Sequence, residues 1–187
     1  MKICALTAIL ALTAPAVFAA EPNDSMIAFV NASARGWFAD PAVQAAIAES
    51  NAAHGALSQE QLVALDDKWR AEVGHADAPT IAPVRDSQIS QAMRAHIAES
   101  GGKITEIIVM DKRGMNVAVS DVTSDYWQGD EAKFQETFPL GPDAIHVSEI
   151  ELDESSQIYQ AQVSFTVTDS QGAPIGAVTI GLNAEAF

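Results

Sequence analysis

Cysteine is nearly absent. Cys4 is the only one among 187 residues, so no disulfide can form within the chain and no thiolate-clustered metal site can be built. Basic residues are scarce as well: ten Lys and Arg stand against 25 Asp and Glu, for a formal net charge of −15. No basic surface remains to neutralise phosphates, which excludes a nucleic-acid partner. The same sign disfavours docking on an anionic membrane surface. Beyond the first twenty residues no apolar run approaches the ~20 residues that a membrane-spanning helix needs. Internal repeats and low-complexity tracts are missing. What is present is the 48% apolar content of an ordinary globular chain, at a length that suits one domain with a helical extension.

The first twenty residues have the layout of a secretory signal peptide. Lys2 supplies a positive start, Ile3 to Leu12 is apolar, and small residues surround Pro15, Ala16, Ala19 and Ala20. The apolar stretch is too short for a spanning anchor, and Pro15 interrupts it. Cys4 sits near the start of this segment, whereas a lipid-bearing Cys would follow the apolar stretch. Cleavage after Ala19 or Ala20 is expected. Removing the first 20 of 187 residues leaves 167, and losing Lys2 takes the net charge from −15 to −16. Cys4 leaves too. The expected product is an exported, periplasmic protein without a thiol.

Residues 21–83 read as a helical extension and linker. Asp24 is expected to cap a first helix carrying Ile27, Val30, Trp37 and Phe38. Asp40-Pro41 reads as a cap with Pro at the first helical position, opening a helix with Val43, Ala46 and Ile47 that ends near Gly55. Ser58 and Gln61 match a capping box before Leu62, Leu65 and Trp69. Ala76 to Pro83, with two prolines, reads as a linker. Asp86 or Ser87 then caps a helix with Ile89, Met93, His96 and Ile97, closed by Gly101-Gly102.

After Gly102 the apolar period changes to two. Ile104 to Met110 is an expected strand, and Asp111 to Gly114 a turn that Asp111 and Arg113 serve. Met115, Val117 and Val119 are expected on one face of a second strand. Ser124 to Phe138 reads as a loop and short helix, and Ile145 to Leu152 as a third strand. The clearest strand is Ile158 to Thr168, with Tyr159, Ala161, Val163, Phe165 and Val167 on one face and Gln160, Gln162, Ser164 and Thr166 on the other. Asp169 to Gly172 turns it into a last strand from Ile175 to Leu182. Helices followed by such strands make an α+β domain with an antiparallel sheet packed against the helices.

Three runs carry a family resemblance. Ile107-Ile108-Val109-Met110-Asp111-Lys112-Arg113-Gly114-Met115-Asn116-Val117-Ala118 resembles the first hairpin of single Cache domains, the extracytoplasmic PAS-like sensors also called PDC domains. Thr123 to Glu131 resembles the loop and helix that follow. Val163 to Asp169, with Gly172, Pro174 and Ile175-Gly176-Ala177, resembles the closing hairpin. The match spans about residues 87–183, so 84–187 is the expected sensor domain. The resemblance implies a five-stranded antiparallel sheet with the N-terminal helix across one face. It implies a small-molecule pocket on the other face, roofed by the segment between the second and third strands. Family members sit in membrane receptors, kinases and cyclases, and their helices pair in dimers. That makes a membrane receptor or sensor kinase, and a second copy of the chain, the implied protein partners. No second membrane segment or output domain is visible in this sequence.

Candidate ligand contacts are Asp125, Tyr126, Trp127 and Lys133, with Asp130 beside them: aromatic walls with a few fixed polar groups. Lys133 would pair with a carboxylate, Tyr126 would donate a hydrogen bond and Asp125 would receive an ammonium group. The alternative is that Trp127 is core and the charges are solvated. Gln162 and Ser164, with Gln160, would line the pocket if their face looks away from the helices; otherwise they face solvent. Ser120 and Asp121 would sit at the rim. The family pattern for amino acids has an Arg shortly before a Trp-Tyr pair; here the order is Tyr126-Trp127 with no such Arg, so amino-acid binding is not implied.

No cofactor or metal is expected. His54, His75, His96 and His146 are widely spaced, and Glu149, Glu151, Asp153 and Glu154 read as a solvated acidic edge without a calcium-loop pattern. No nucleophile elbow, zinc-protease motif or phosphate loop is present, so no enzyme is expected. Two functions remain. One is an exported sensor that binds a small metabolite and relays its state to a membrane partner. The other is a non-catalytic interaction module, with Trp37, Phe38 and Trp69 as exposed anchors.

Overall fold

The computed structural model describes residues 22–153 and 157–187. The expected leader, its cleavage point and Glu154 lie outside them. Helix α1 (Pro22–Phe29) already contains Asp24 in its first turn, so Asp24 does not cap it. The chain continues through a π turn (Val30–Ala34) and a 3-10 turn (Arg35–Ala39). Met26, Val30, Ala34 and Phe38 recur every four residues and are all buried. A four-residue spacing drifts off the face of a 3.6-residue helix, and one wider π turn brings the stripe back into line.

Local signals set the next helices. Asp40 accepts the Ala42 N–H at 2.7 Å and opens α2 (Pro41–His54). Ser58 and Gln61 form the capping box of α3 (Gln59–Glu72). Ser87 caps α5 (Gln88–Glu99), after the single turn α4 (Ala82–Arg85). Between α3 and α4, the Glu72 carboxylate accepts Thr80 N–H and Oγ1–H, both at 2.7 Å, and Ile81 N–H at 3.1 Å. That grip buries Ala78 and Ile81, so the proline-bearing stretch is packed against the body of the protein.

Six strands follow: β1 (Ile104–Asp111), β2 (Asn116–Val119), β3 (Ile145–Val147), β4 (Glu151–Asp153), β5 (Ile158–Thr168) and β6 (Pro174–Asn183). They form one antiparallel sheet in the order β2-β1-β6-β5-β3, with β4 also on β5. The expected third strand is therefore broken in two along one edge, and five positions run across the sheet. At the break, Ser148 N–H donates to the Gln162 carbonyl at 2.9 Å, and Ser148 Oγ accepts Gln162 N–H at 2.9 Å. The sheet is the antiparallel α+β architecture expected from the sequence.

Both faces are covered. Ile107, Val109, Val163, Phe165, Ile180 and Leu182 pack on Met26, Val30, Phe38, Ile47 and Met93. Ile108, Met110, Val119 and Ala177 pack on Trp69, Ile81, Val84 and Phe134. Strands buried on both sides have no reason to alternate, which is why Ile107 to Met110 of β1 is an unbroken apolar run. In β2 the expected single face fails. Val109 pairs with Ala118 but Met110 pairs with Asn116, so a bulge at Val117 turns it toward the first core while Val119 joins the second. Phe38 and Trp69 are core residues, not exposed anchors, and Trp37 is half-buried with its ring stacked on His96 at 3.9 Å.

The β1–β2 turn is held from inside. Asp111 is fully buried and its Oδ1 accepts Arg113 N–H at 2.8 Å and Met115 N–H at 3.0 Å. Its Oδ2 meets Ser50 Oγ at 2.9 Å and His54 Nδ1 at 2.7 Å, both from α2. Gly114 closes the turn at φ 78°, where a Cβ would also strike the Gly129 backbone at 2.6 Å. Replacing Asp111 by Ala strands four polar partners in the interior and should lower the unfolding free energy by about 3–5 kcal/mol. Lys112→Ala, on the exposed tip, should stay within about 0.5 kcal/mol. Urea unfolding of the two variants checks this, and equal stabilities would overturn it.

Candidate functional site

The segment between β2 and β3 lies over the sheet face opposite α1 and α2. A single buried carboxylate anchors it. Asp66, on α3, accepts Tyr126 N–H at 2.7 Å and Trp127 N–H at 3.0 Å through Oδ1, and the Arg70 Nε–H at 2.7 Å through Oδ2. The Tyr126 ring stacks on Trp69 at 4.9 Å and meets His54 edge-on at 5.9 Å. Trp127 pairs with Met115 in a lone bridge and donates its indole N–H to the Arg113 carbonyl at 2.8 Å. Asp125 accepts Gln128 Nε2–H at 2.8 Å and faces Arg70 at 3.5 Å, while Asp130 is exposed. Asp125, Tyr126 and Trp127 thus come together as a fastening between α3, the β1–β2 turn and the roof.

Beyond this fastening the roof forms α6 (Ala132–Gln135) and a 3-10 turn (Phe138–Leu140). Phe134 points down into the second core. Lys133 instead borders a cleft of about 460 Å³ between the roof and the β4–β5 edge. Gln160 and Gln162 line it from β5, Ser148 and Glu149 from the break between β3 and β4, Glu151 and Asp153 from β4, and Glu131 from the roof. Lys133 Nζ lies 3.0 Å from Glu131 and donates to Gln128 Oε1 at 3.2 Å. Gln162 donates to Glu106 at 2.6 Å, and Gln160 accepts from Thr105 at 2.7 Å. The cleft wall therefore carries one ammonium group among several carboxylates. Among the described residues, no group of three or more His, Cys, Asp or Glu is placed to hold a metal ion.

The structure brings two of the seven candidate contacts, Lys133 and Gln162, to this cleft. Ser164 lies on the same face but is fully buried, its Oγ 2.9 Å from Thr179 Oγ1. Ser120 closes the β1–β2 ladder: its Oγ accepts Ile107 N–H at 2.9 Å and its N–H donates to the Ile107 carbonyl at 2.9 Å. Asp121 is exposed and accepts the Val122 N–H. Sequence reasoning missed Asp66 as an anchor, although an acid between Leu62 and Trp69 on an apolar helix face was a legible sign. It also missed that the acidic edge at 149–153 would wall a cleft.

Two other features fit a site less well. An apolar groove of about 620 Å³ runs between α5 and the start of α2. Asp40 in its lining is committed to a helix cap, and the His96 ring is stacked on Trp37. Ser50, His54 and Asp111 form a contact triangle, but Ser50 and Asp111 both address the same His54 nitrogen, at 3.2 and 2.7 Å. A relay needs the imidazole between the two, one on each ring nitrogen, so this triangle is not a nucleophile–base pair.

Neither a protein-family model nor a curated protein matches the chain. Among solved structures, it is similar to the extracellular domain of the putative histidine kinase rpHK1S-Z16, with 15% identity and a TM-score of 0.44 over 88% of this chain and 60% of that one. It is also similar to the sensory domain of the Campylobacter jejuni chemoreceptor Tlp3 with isoleucine bound, at 11% identity and a TM-score of 0.40, covering 85% and 63%. A third is the ligand-binding domain of the Pseudomonas aeruginosa PAO1 amino acid chemoreceptor PctC with GABA, at 13% identity and a TM-score of 0.38, covering 68% and 54%. The chain thus spans less than two thirds of each of these structures. The second and third are sensory or ligand-binding domains of chemoreceptors. Among the described residues no helix is long and apolar enough to cross a membrane.

The roof fastening has a titration signature. Burial, with the Asp111 charge adding to it, pushes the Tyr126 phenol up to about 12. The unfolded chain would ionise this phenol near its ordinary value of about 10. Its contribution to stability is therefore complete below pH 10 and is lost as the pH rises toward 12. Unfolding free energies measured across that window should fall, and Tyr126→Phe should flatten the fall. An equally steep decline in Tyr126→Phe would overturn the assignment.

Proposed function

We propose that this chain is an exported, periplasmic sensory module that binds a small molecule in the cleft beside Lys133. One observation carries the reading. The cleft lies on the sheet face away from the N-terminal helices and beneath the segment between β2 and β3, which is where the single-Cache resemblance implies a pocket. Lys133 and Gln162 are the contacts, with Gln160 beside them. Glu131 already neutralises Lys133, and the acidic edge supplies further negative charge. Such walls favour a ligand that brings a positive group over a simple anion. Asp125, Tyr126 and Trp127 act on the ligand indirectly, by holding the roof down.

The bound state would pass by contact to a membrane receptor or sensor kinase, or across a homodimer. An apolar surface next to the cleft suits that relay. Leu152, 42% exposed, pairs across strands with Tyr159, 51% exposed, and Leu152 also borders the cleft. The same surface favours the second reading, a non-catalytic interaction module with no ligand of its own.

A thermal-shift screen of amines, amino acids and organic acids separates the two. A ligand at 100 times its Kd stabilises by about 2.7 kcal/mol, or roughly 5–10 °C in Tm for a domain of this size. At least one positively charged compound should reach that range. Glu131→Gln, which removes a carboxylate from the wall, and Gln162→Ala should each weaken the hit about tenfold. Trp127→Ala should lower the basal Tm yet leave a shift. If no compound moves the Tm, or if hits survive both cleft substitutions, the cleft is not the binding site.

A further inference from the structure

On the other face of the sheet, at the far end of β5, one cation has no ion-pair partner among the described residues. Arg35 leaves the 3-10 turn and lays its guanidinium over the Phe165 ring, with Cζ 4.5 Å from the ring centroid. Its Nε and Nη2 are buried and have no hydrogen-bond partner among the described residues. These two nitrogens share one edge of the planar group. That edge grips an oxyanion through two parallel N–H···O bonds. Phe165 satisfies the face of the guanidinium, not this edge.

A notch of about 130 Å³ adjoins the side chain, lined by Arg35, Phe38, Phe165, Thr166 and Pro142 among others. At roughly 30 Å³ per water-sized group it has room for about four heavy atoms. Asp143, next to Pro142 and exposed, is the acid whose charge reaches Arg35, but it makes no ion pair with it. Burial of an unpaired cation draws the guanidinium's affinity for its proton down, and Asp143 offsets this in part.

We propose that this notch takes a compact oxyanion, a small carboxylate or an inorganic oxyanion, on the free edge of Arg35. Arg35 borders the notch, and the Phe165 ring beneath it holds the face of the guanidinium. The site is independent of the cleft beside Lys133, because the sheet separates them. Asp143 competes for the same charge, so removing it strengthens binding.

The test uses the full chain at constant pH and ionic strength, titrated separately with sodium acetate, sodium phosphate and sodium chloride. The readout is the Arg35 Nε–H resonance. Acetate or phosphate should shift it saturably and chloride should not. Saturation by acetate alone identifies a carboxylate site, and saturation by phosphate alone an inorganic one. Arg35→Lys, which keeps the charge and loses the fork, should abolish the Tm rise that the same anion gives. Asp143→Asn should tighten binding about 2- to 5-fold, the worth of an exposed charge pair. No saturable shift with either oxyanion overturns the proposal. So does an equal response to chloride, or a shift of the Arg35 resonance by Asp143→Asn without added anion together with a lower Tm, which would make Asp143 the natural cap.

Discussion

The architecture depends on one buried carboxylate. Asp111 ends β1 and accepts four contacts at once, two from the backbone of its own turn and two from α2. A carboxylate offers acceptor sites on both oxygens, and in a dry interior each unmade bond is expensive. The turn therefore cannot relax without breaking the attachment of α2, and α2 cannot lift without stranding the turn. Because β1 is central in the pairing of β2 and β6, the hairpin, the sheet and the first helical layer share this point.

The second layer repeats the device with Asp66. Two consecutive backbone N–H groups, of Tyr126 and Trp127, converge on one of its oxygens. A loop carrying so many polar backbone groups would otherwise be free to hydrate and swing. Pinned at 126–127, it lays Trp127 along the β1–β2 turn and delivers α6 to the sheet. The cleft beside Lys133 lies between the roof, which Asp66 holds at one end, and the β4–β5 edge. An acidic chain thus spends part of its charge internally. Asp40, Asp66, Glu72 and Asp111 each satisfy backbone donors, which the excess of carboxylates over cations makes possible without ion pairs at every site.

Much of the fold was legible from residues a few positions apart. Asp40-Pro41, Ser58 with Gln61, and Ser87 are caps whose donors lie within one helical turn. The period-two run of β5 and the turn at Asp169 to Gly172 are likewise local. The candidate site was legible only in part. Lys133 and Gln162 meet in one cleft, whereas Tyr126 and Trp127, adjacent in sequence to the same loop, serve its attachment. An aromatic-polar cluster looks the same whether it wraps a ligand or fastens a loop, since both need apolar contact and fixed hydrogen bonds.

Composition and short-range spacing determined the α+β class, the caps of the later helices and the hairpins, because caps and periodicity act within a few residues. The tertiary structure alone decided the rest. It turned Val117 away from Val119, because a bulge depends on the partner strand's register. It buried Asp66 between two layers and broke the third strand at Ser148. It left the edge of Arg35 without a partner against Phe165. Each of those outcomes is a meeting of residues far apart in sequence, and a one-residue change in register would have produced a different one.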